Sequence, residues 1–341
     1  VVDDGPVQYY LYNRDTKEAR FLFTNRPELE GQPLVNMTPV LIEARDGLKM
    51  VSYLTLPPGS DPDADGVPAA PVPMVLNVHG GPWARDTWGY DPEHQWLANR
   101  GYAVLSVNFR GSTGFGKAFL NAGAKEWGAK MQDDLTDAVR WAVDRGIAQE
   151  DKVAIYGGSY GGYAVLAGLT FTPELYAAGV DIVGPSNLVT LLESIPPYWA
   201  PVKAVFTTRV GDPETEEGRA LLEERSPLNH VEKIERPLLI AQGANDPRVK
   251  QAESDQIVEA MEEKAIPVTY TLFPDEGHGF ARPENRLAFY AVAEAFLAEV
   301  LGGRFEDVGD DFEGASITVP HGVGFVPGLE AAMTSATPSE E

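Results

Sequence analysis

The stretch Ile155-Tyr156-Gly157-Gly158-Ser159-Tyr160-Gly161-Gly162-Tyr163 sets one serine among four glycines, directly after a short apolar run. Glycine inside a helix or strand costs stability, so four together need a local reason. Val153–Tyr156 before them reads as a strand, and Tyr163–Ala167 after them reads as a helix. A strand, a turn and a helix around Gly157-x-Ser159-x-Gly161 form the setting of a nucleophile elbow, a bend sharp enough to push the serine hydroxyl into the open. Glycines let the strand and the helix approach without Cβ clashes, and the serine takes a strained backbone conformation. G-x-S-x-G alone also describes a plain glycine-rich turn. The flanking strand and helix lift it above that.

Outward from this turn, apolar runs alternate with helical patterns. The runs are Met74–Val78, Ala103–Val107, Val153–Tyr156, Gly179–Val183, Leu238–Ala241 and Val268–Phe273. Helices are expected near 92–100, 133–145, 160–170, 250–263 and 285–301, with Asp133 and Asp134 suited to a first turn by the helix dipole. Such alternation predicts a mostly parallel sheet with helices on both faces. Val40–Ile42 and Met50–Leu56 read as further strands, and Pro57–Pro73 as a loop. Val7–Tyr12 and Ala19–Thr24 read as a hairpin around the polar turn Asn13–Lys17. Two strands alone are marginal in water, so this hairpin points to something larger upstream. Residues 304–341, acidic and rich in Gly, Ser, Thr and Pro, read as an extended tail with order confined to Ile317–Val319.

The chain of 341 residues suits one large α/β domain with appendages. It holds no cysteine, which excludes disulfides, thiolate metal sites and a cysteine nucleophile. Lys and Arg total 27 against 51 Asp and Glu, a net charge of −24 that repels phosphate backbones and anionic lipid. Nucleic acid is therefore not an expected partner. No apolar run approaches the roughly 20 residues of a membrane span. The first residue is Val1, and no charged-then-apolar signal stretch follows, which suggests a processed chain or an excised fragment. The compartment stays open between cytoplasm, periplasm and exterior. Gly111-Ser-Thr-Gly-Phe-Gly116 lacks dinucleotide spacing, and no metal-ligand cluster is visible, so neither cofactor nor metal is expected.

A serine hydroxyl is a poor nucleophile and needs a base with an orienting acid. On this kind of scaffold they follow in the order Ser, acid, His. The histidines are His79, His94, His230, His278 and His321, and only the last two come after a plausible acid loop. His278 lies in Asp275-Glu-Gly-His-Gly-Phe280, directly after a strand-like run, where α/β sites form. His321 sits in the tail without such support. Asp246, in Gln242-Gly-Ala-Asn-Asp-Pro-Arg-Val249, also follows a strand-like run. Its rivals Asp275 and Glu276 are close neighbours of His278 in the chain. A lone Asp in a loop is most often a turn former. An oxyanion needs two aimed N–H donors. The residue after the nucleophile, Tyr160, supplies one, and Gly81 in Val75-Leu-Asn-Val-His-Gly-Gly-Pro82 supplies the other. His79 precedes the serine and is expected to pack beneath the loop and hydrogen-bond there.

Taken together, "HGGP" at 79–82, "NFRGSTGFG" at 108–116, "GGSYGGY" at 157–163, "SPLNHV" at 226–231, "GANDPRV" at 243–249 and "EGHGF" at 276–280 resemble the catalytic domain of the prolyl oligopeptidase family of serine peptidases. The acylaminoacyl-peptidase and dipeptidyl-peptidase branches are the most similar. The resemblance covers residues 38–303. It implies an α/β-hydrolase fold with a mostly parallel eight-stranded sheet. It implies Ser159 as nucleophile, Asp246 as orienter and His278 as base, with Gly81 and Tyr160 at the oxyanion positions. Arg248 matches a family position that contacts a substrate carbonyl, for which a fixed, always charged guanidinium is suited. A surface salt bridge is its plain alternative. Leu188, Leu191 and Ile195 fall where the family places its apolar specificity pocket. On spacing alone they read as core, and as aliphatic residues they argue for a broad apolar taste over strict proline preference. Arg110 is expected to brace loops, and Tyr156 has no assigned role. Family members carry an N-terminal β-propeller, so residues 1–37 are expected to be the end of its last blade and 304–341 an acidic tail.

Three functions remain open from the sequence. A serine peptidase would act on short peptides. A carboxylesterase would use the same triad. A scaffold protein would keep the fold without the chemistry. A homo-oligomer and a propeller from the same polypeptide are the possible protein partners.

Overall fold

A computed structural model of the chain describes residues 2–336. It opens with the hairpin β1 (Gln8–Tyr12) and β2 (Ala19–Thr24), an antiparallel sheet of its own. The main sheet contains β3 (Met37–Glu43), β4 (Lys49–Thr55), β5 (Val72–Val78), β6 (Ala103–Val107), β7 (Ala148–Gly158), β8 (Ala178–Ile182), β9 (Leu238–Gly243), β10 (Val268–Phe273) and β11 (Thr318–His321). Their order across the sheet is β11-β10-β9-β8-β7-β5-β6-β4-β3. The six strands β5 to β10 pair in parallel. β3, β4 and β11 add antiparallel edges.

The helices are α1 (Pro92–Asn99), α2 (Lys117–Asn121), α3 (Lys130–Asp144), α4 (Tyr160–Phe171), α5 (Leu188–Glu193), α6 (Ala200–Arg209), α7 (Glu216–Glu224), α8 (Gln251–Glu263), α9 (Pro283–Leu301) and α10 (Leu329–Ala336). The central strands are apolar on both faces because both are covered. Met74, Leu76, Ile155 and Ile240 join the core of α3, α4 and α8. Val75, Ala154, Tyr156 and Leu239 join that of α1 and α9. This is the α/β-hydrolase arrangement.

The sheet has nine strands among the described residues, one more than expected. The ninth, β11, comes from the stretch read as a tail. Four residues carry no readable period, and the strand includes Pro320, a residue disfavoured inside sheets. A sheet edge tolerates proline, since one side of an edge strand lacks a ladder partner. The same stretch buries Phe312, Ile317, Val326 and Leu329 in the core that holds α9. Each contributes about 1.5–3 kcal/mol by leaving water. Helix α6 was missed for a related reason: it buries no side chain, so no apolar stripe marked it.

Strand order places the functional crevice. After β5 the chain forms β6 on one side, then returns to place β7 on the other. At such a reversal the connections leave in opposite directions, and a crevice opens at the carboxyl ends of the two strands. Gly80 and Gly81 follow β5 there, and Ser159 follows β7.

Candidate active site

Ser159 sits between β7 and α4 with φ 60° and ψ −116°. It is the residue of the motif in the left-handed region; the four glycines around it are not. What the glycines provide is room. A Cβ at Gly157 would lie 2.7 Å from the Val78 carbonyl oxygen, and one at Gly161 would collide with the same oxygen. The strand before the serine and the helix after it therefore both press on the end of β5. The Ser159 N–H donates to Ile182 O at 2.8 Å, and its carbonyl accepts from Tyr163 N–H at 3.0 Å. Held at both ends, the strained residue turns its side chain toward a cavity of about 470 Å³ that it lines.

Asp246 and His278 meet although 32 residues separate them: Asp246 Oδ2 lies 2.7 Å from His278 Nδ1. The aspartate is 2% exposed. Its other oxygen accepts from the backbone N–H groups of Arg248 at 2.7 Å and Val249 at 2.9 Å. One carboxylate oxygen thus faces two backbone N–H groups and the other faces the His278 ring. A carboxylate oxygen accepts, so His278 donates to Asp246 through Nδ1, which leaves Nε2 as an acceptor. His278 lines the same cavity as Ser159. Among the described residues, the Ser159 hydroxyl makes no hydrogen bond; contacts of this kind tighten when a substrate binds.

The two loops that bring acid and histidine together are tied to each other. Asn245 N–H donates to Glu276 O at 2.8 Å, and its side-chain amide donates to Pro274 O at 2.8 Å. A Cβ at Gly243 would collide with the Gly277 carbonyl. The rival acids are occupied elsewhere. The buried Glu276 carboxylate accepts from Ala281 N–H at 2.9 Å and Arg282 N–H at 2.8 Å, which folds the loop after the histidine. Hydrogen bonds from Ser316 and Arg282 hold the Asp275 carboxyl down to about 2.

Gly81 and Tyr160 both line the cavity beside Ser159. Gly81 has φ 120°, which a side chain would strain. Tyr160 opens α4, so its N–H belongs to the first turn, whose donors lack intrahelical partners. Arg248 is exposed at the cavity and pairs with no carboxylate among the described residues. Leu191 and Ile195 line the cavity. Leu188 does not. It is 1% exposed and lies in the core at the start of α5, where its N–H donates to Ser226 Oγ. Helical spacing put it on the face of Leu191, but the cavity begins one turn later. His321 lies far along the edge of the sheet, paired with Glu262.

Sequence reasoning missed much of the wall. Trp83, Trp127 and Trp199, half of the six tryptophans, line the cavity with Val202 and Phe206. Trp83, two residues after Gly81, was the one with a local signal. Arg110 lies away from the cavity and braces loops as expected. Its guanidinium is held by Asp134 at 2.6 Å and Asp46 at 2.8 Å, and it draws the Asp46 carboxyl down to about 2. Asp134 thus serves that ion pair, beyond any service to the helix dipole.

The chain matches the model of the prolyl oligopeptidase family over residues 88–304. It is 63% identical over 334 residues to dipeptidyl aminopeptidase BIII of Pseudoxanthomonas mexicana, covering 98% of this chain and 48% of that protein. It is 50% identical over 315 residues to dipeptidyl peptidase family member 6 of Caenorhabditis elegans, covering 88% of this chain and 43% of that protein. A puromycin-hydrolysing peptidase of Mycobacterium tuberculosis superposes with a TM-score of 0.78 at 30% identity, covering 89% of this chain and 45% of that one. The chain spans about half the length of these relatives. The carboxylesterase alternative finds no support among them. The chain belongs to the prolyl oligopeptidase family.

Proposed function

We propose that this member of the prolyl oligopeptidase family is the catalytic half of a serine peptidase that releases dipeptides from the amino ends of short peptides. The observation that carries the reading is the 2.7 Å Asp246–His278 pair opening onto the cavity that Ser159 lines. Ser159 Oγ attacks the scissile carbonyl while His278 Nε2 takes its proton. Asp246 keeps the ring in the required tautomer and stabilises the imidazolium. The oxyanion is received by the N–H groups of Gly81 and Tyr160. His278 returns the proton to the leaving amine, and water then hydrolyses the acyl-enzyme by the same route.

Arg248 offers fixed, charged donors to a substrate carbonyl at the cavity mouth. The tryptophans with Leu191, Ile195, Val202 and Phe206 make a pocket for a large apolar side chain next to the scissile bond. The dipeptide mode is supported by the names of the two relatives above, one of them 63% identical. The hairpin β1–β2 leaves Tyr9, Tyr10, Leu11, Tyr12, Phe21, Leu22 and Phe23 all at least 45% exposed, a surface that ordinarily marks an interaction site. We infer that it pairs with the rest of a propeller blade in the longer polypeptide. The test is turnover by the full-length polypeptide of dipeptidyl anilides against amino-blocked anilides and short acyl esters. Preference for the free dipeptidyl anilide is expected. Ester cleavage without any anilide cleavage would overturn the reading.

A further inference from the structure

The family match ends at residue 304, yet the segment beyond it reaches the loop that carries His278. β11 pairs with β10, and Thr318 Oγ1 donates to Leu272 O at 3.1 Å, next to the end of β10 at Phe273. Phe312 and Ile317 are buried in the core that holds α9 and pin the segment in two places. Between these pins, Gly314 O accepts from Arg282 Nη2 at 2.8 Å, and Ser316 N–H donates to Asn285 Oδ1 at 2.8 Å. Ser316 Oγ donates to the same oxygen at 3.2 Å. Asn285 is fully buried in the first turn of α9. Its Nδ2 donates to Glu276 Oε1 at 2.9 Å and to Asp275 Oδ1 at 3.0 Å. Carboxylates accept and a backbone N–H donates, so these partners fix which way the amide points.

His278 has little stiffness of its own to rely on. Gly277 and Gly279 flank it, and Gly279 stands at φ 105°, a conformation that glycine enters and leaves at little cost. Something outside the loop must hold it. Glu276 does so from within reach of both triad loops. Its side chain accepts from Ala281 N–H and Arg282 N–H, and its carbonyl accepts from Asn245 N–H. Asn285 holds Glu276, and Ser316 holds Asn285. Without Ser316 the buried Asn285 oxygen would lose both of its donors, and a buried amide pays heavily for that. We propose that residues 304–321 form a strap on the histidine loop, with Asn285 and Ser316 as positioning residues for His278. Neither lines the cavity, so neither meets the substrate there. The inference rests on the reading of His278 as the triad base.

The experiment compares the full-length polypeptide with its Asn285→Ala, Ser316→Pro, Ser316→Thr and Ser159→Ala variants. It reads kcat and KM on a dipeptidyl anilide, the rate of fluorophosphonate labelling, and folding by circular dichroism. Asn285→Ala should lower kcat and the labelling rate roughly 10- to 100-fold with KM changed less than about threefold, the range for a catalytic group displaced by about 1 Å. Ser316→Pro, which removes both donors of the strap, should lower kcat roughly 5- to 20-fold in the same way. Ser316→Thr, which keeps both donors, should recover most of that loss. If Asn285→Ala fails to fold, Ser316→Pro decides, and kcat within about twofold of wild type overturns the proposal. The proposal is likewise overturned if Asn285→Ala folds and keeps its kcat, whether or not KM rises, because the strap would then serve stability alone. Failure of wild type to take more label than Ser159→Ala would instead overturn the underlying reading of the site, and the proposal with it.

Discussion

His79 and His278 both stand in glycine-flanked loops beyond the carboxyl ends of parallel strands, β5 and β10. Their surroundings are opposite. His278 faces a carboxylate across 2.7 Å, and its ring lines the cavity. His79 meets only neutral partners, a carbonyl and a hydroxyl, and stacks on a buried ring. A carboxylate partner prepares an imidazole to receive a proton, since the resulting cation is paired. Neutral burial makes the cation costly and turns the ring into a fixed strut. The partner, more than the loop, decides which task a histidine performs.

The largest test of this contrast is His278→Ala, which should lower kcat by roughly 10⁴–10⁶-fold, the range for losing a triad base. A steady-state assay that found His278→Ala and His79→Ala equally impaired would erase the distinction. Asp246→Asn comes next. It keeps the size of the side chain but offers the wrong hydrogen-bonding partner to Nδ1, and should lower kcat about 10³–10⁴-fold. Activity near wild type would mean that Asp246 does not set the tautomer.

The third test concerns pH. The folded pKa of His79 is depressed from 6.5 to about 4 by burial. The unfolded chain therefore binds more protons than the native one between these values. Stability from this group is present above about pH 6.5 and is lost as pH falls toward 4. Urea titrations at pH 7 and pH 4.5 should show wild type losing on the order of 1–3 kcal/mol more than His79→Asn over that interval. Equal losses would show that the ring is not neutral by burial.

The smallest effect is expected from Arg248→Ala. The backbone N–H of residue 248, which holds Asp246, remains, so the acid stays in place. Only the exposed guanidinium is lost, and kcat/KM should fall roughly 10-fold, mainly through KM, as expected for one charged hydrogen bond. A fall as large as that of Asp246→Asn would mean that the side chain supports the acid loop.

Much of this site was readable before the fold. The elbow lies within nine residues, and its glycines report local crowding. Asp246 and His278 each announced themselves by a position just past an apolar run. Leu188 shows the limit: its spacing matched Leu191, yet depth below the surface is not written in spacing. The tryptophan wall was unreadable for the same reason, since Trp83, Trp127 and Trp199 come from separate loops and share a cavity only after folding. The strand β11 was hidden by its four-residue length and its proline.

By itself the sequence determined the parallel core, the sharp turn at Ser159 and the order in which Ser159, Asp246 and His278 follow the ends of their strands. Those features are encoded by periodicity and turn chemistry acting within about ten residues. Only the tertiary structure decided which side chains line the cavity, that a ninth strand closes the sheet edge, and that His79 braces a peptide while His278 faces a carboxylate. Burial and pairing are settled by segments far apart in the chain, through close packing that no local pattern records.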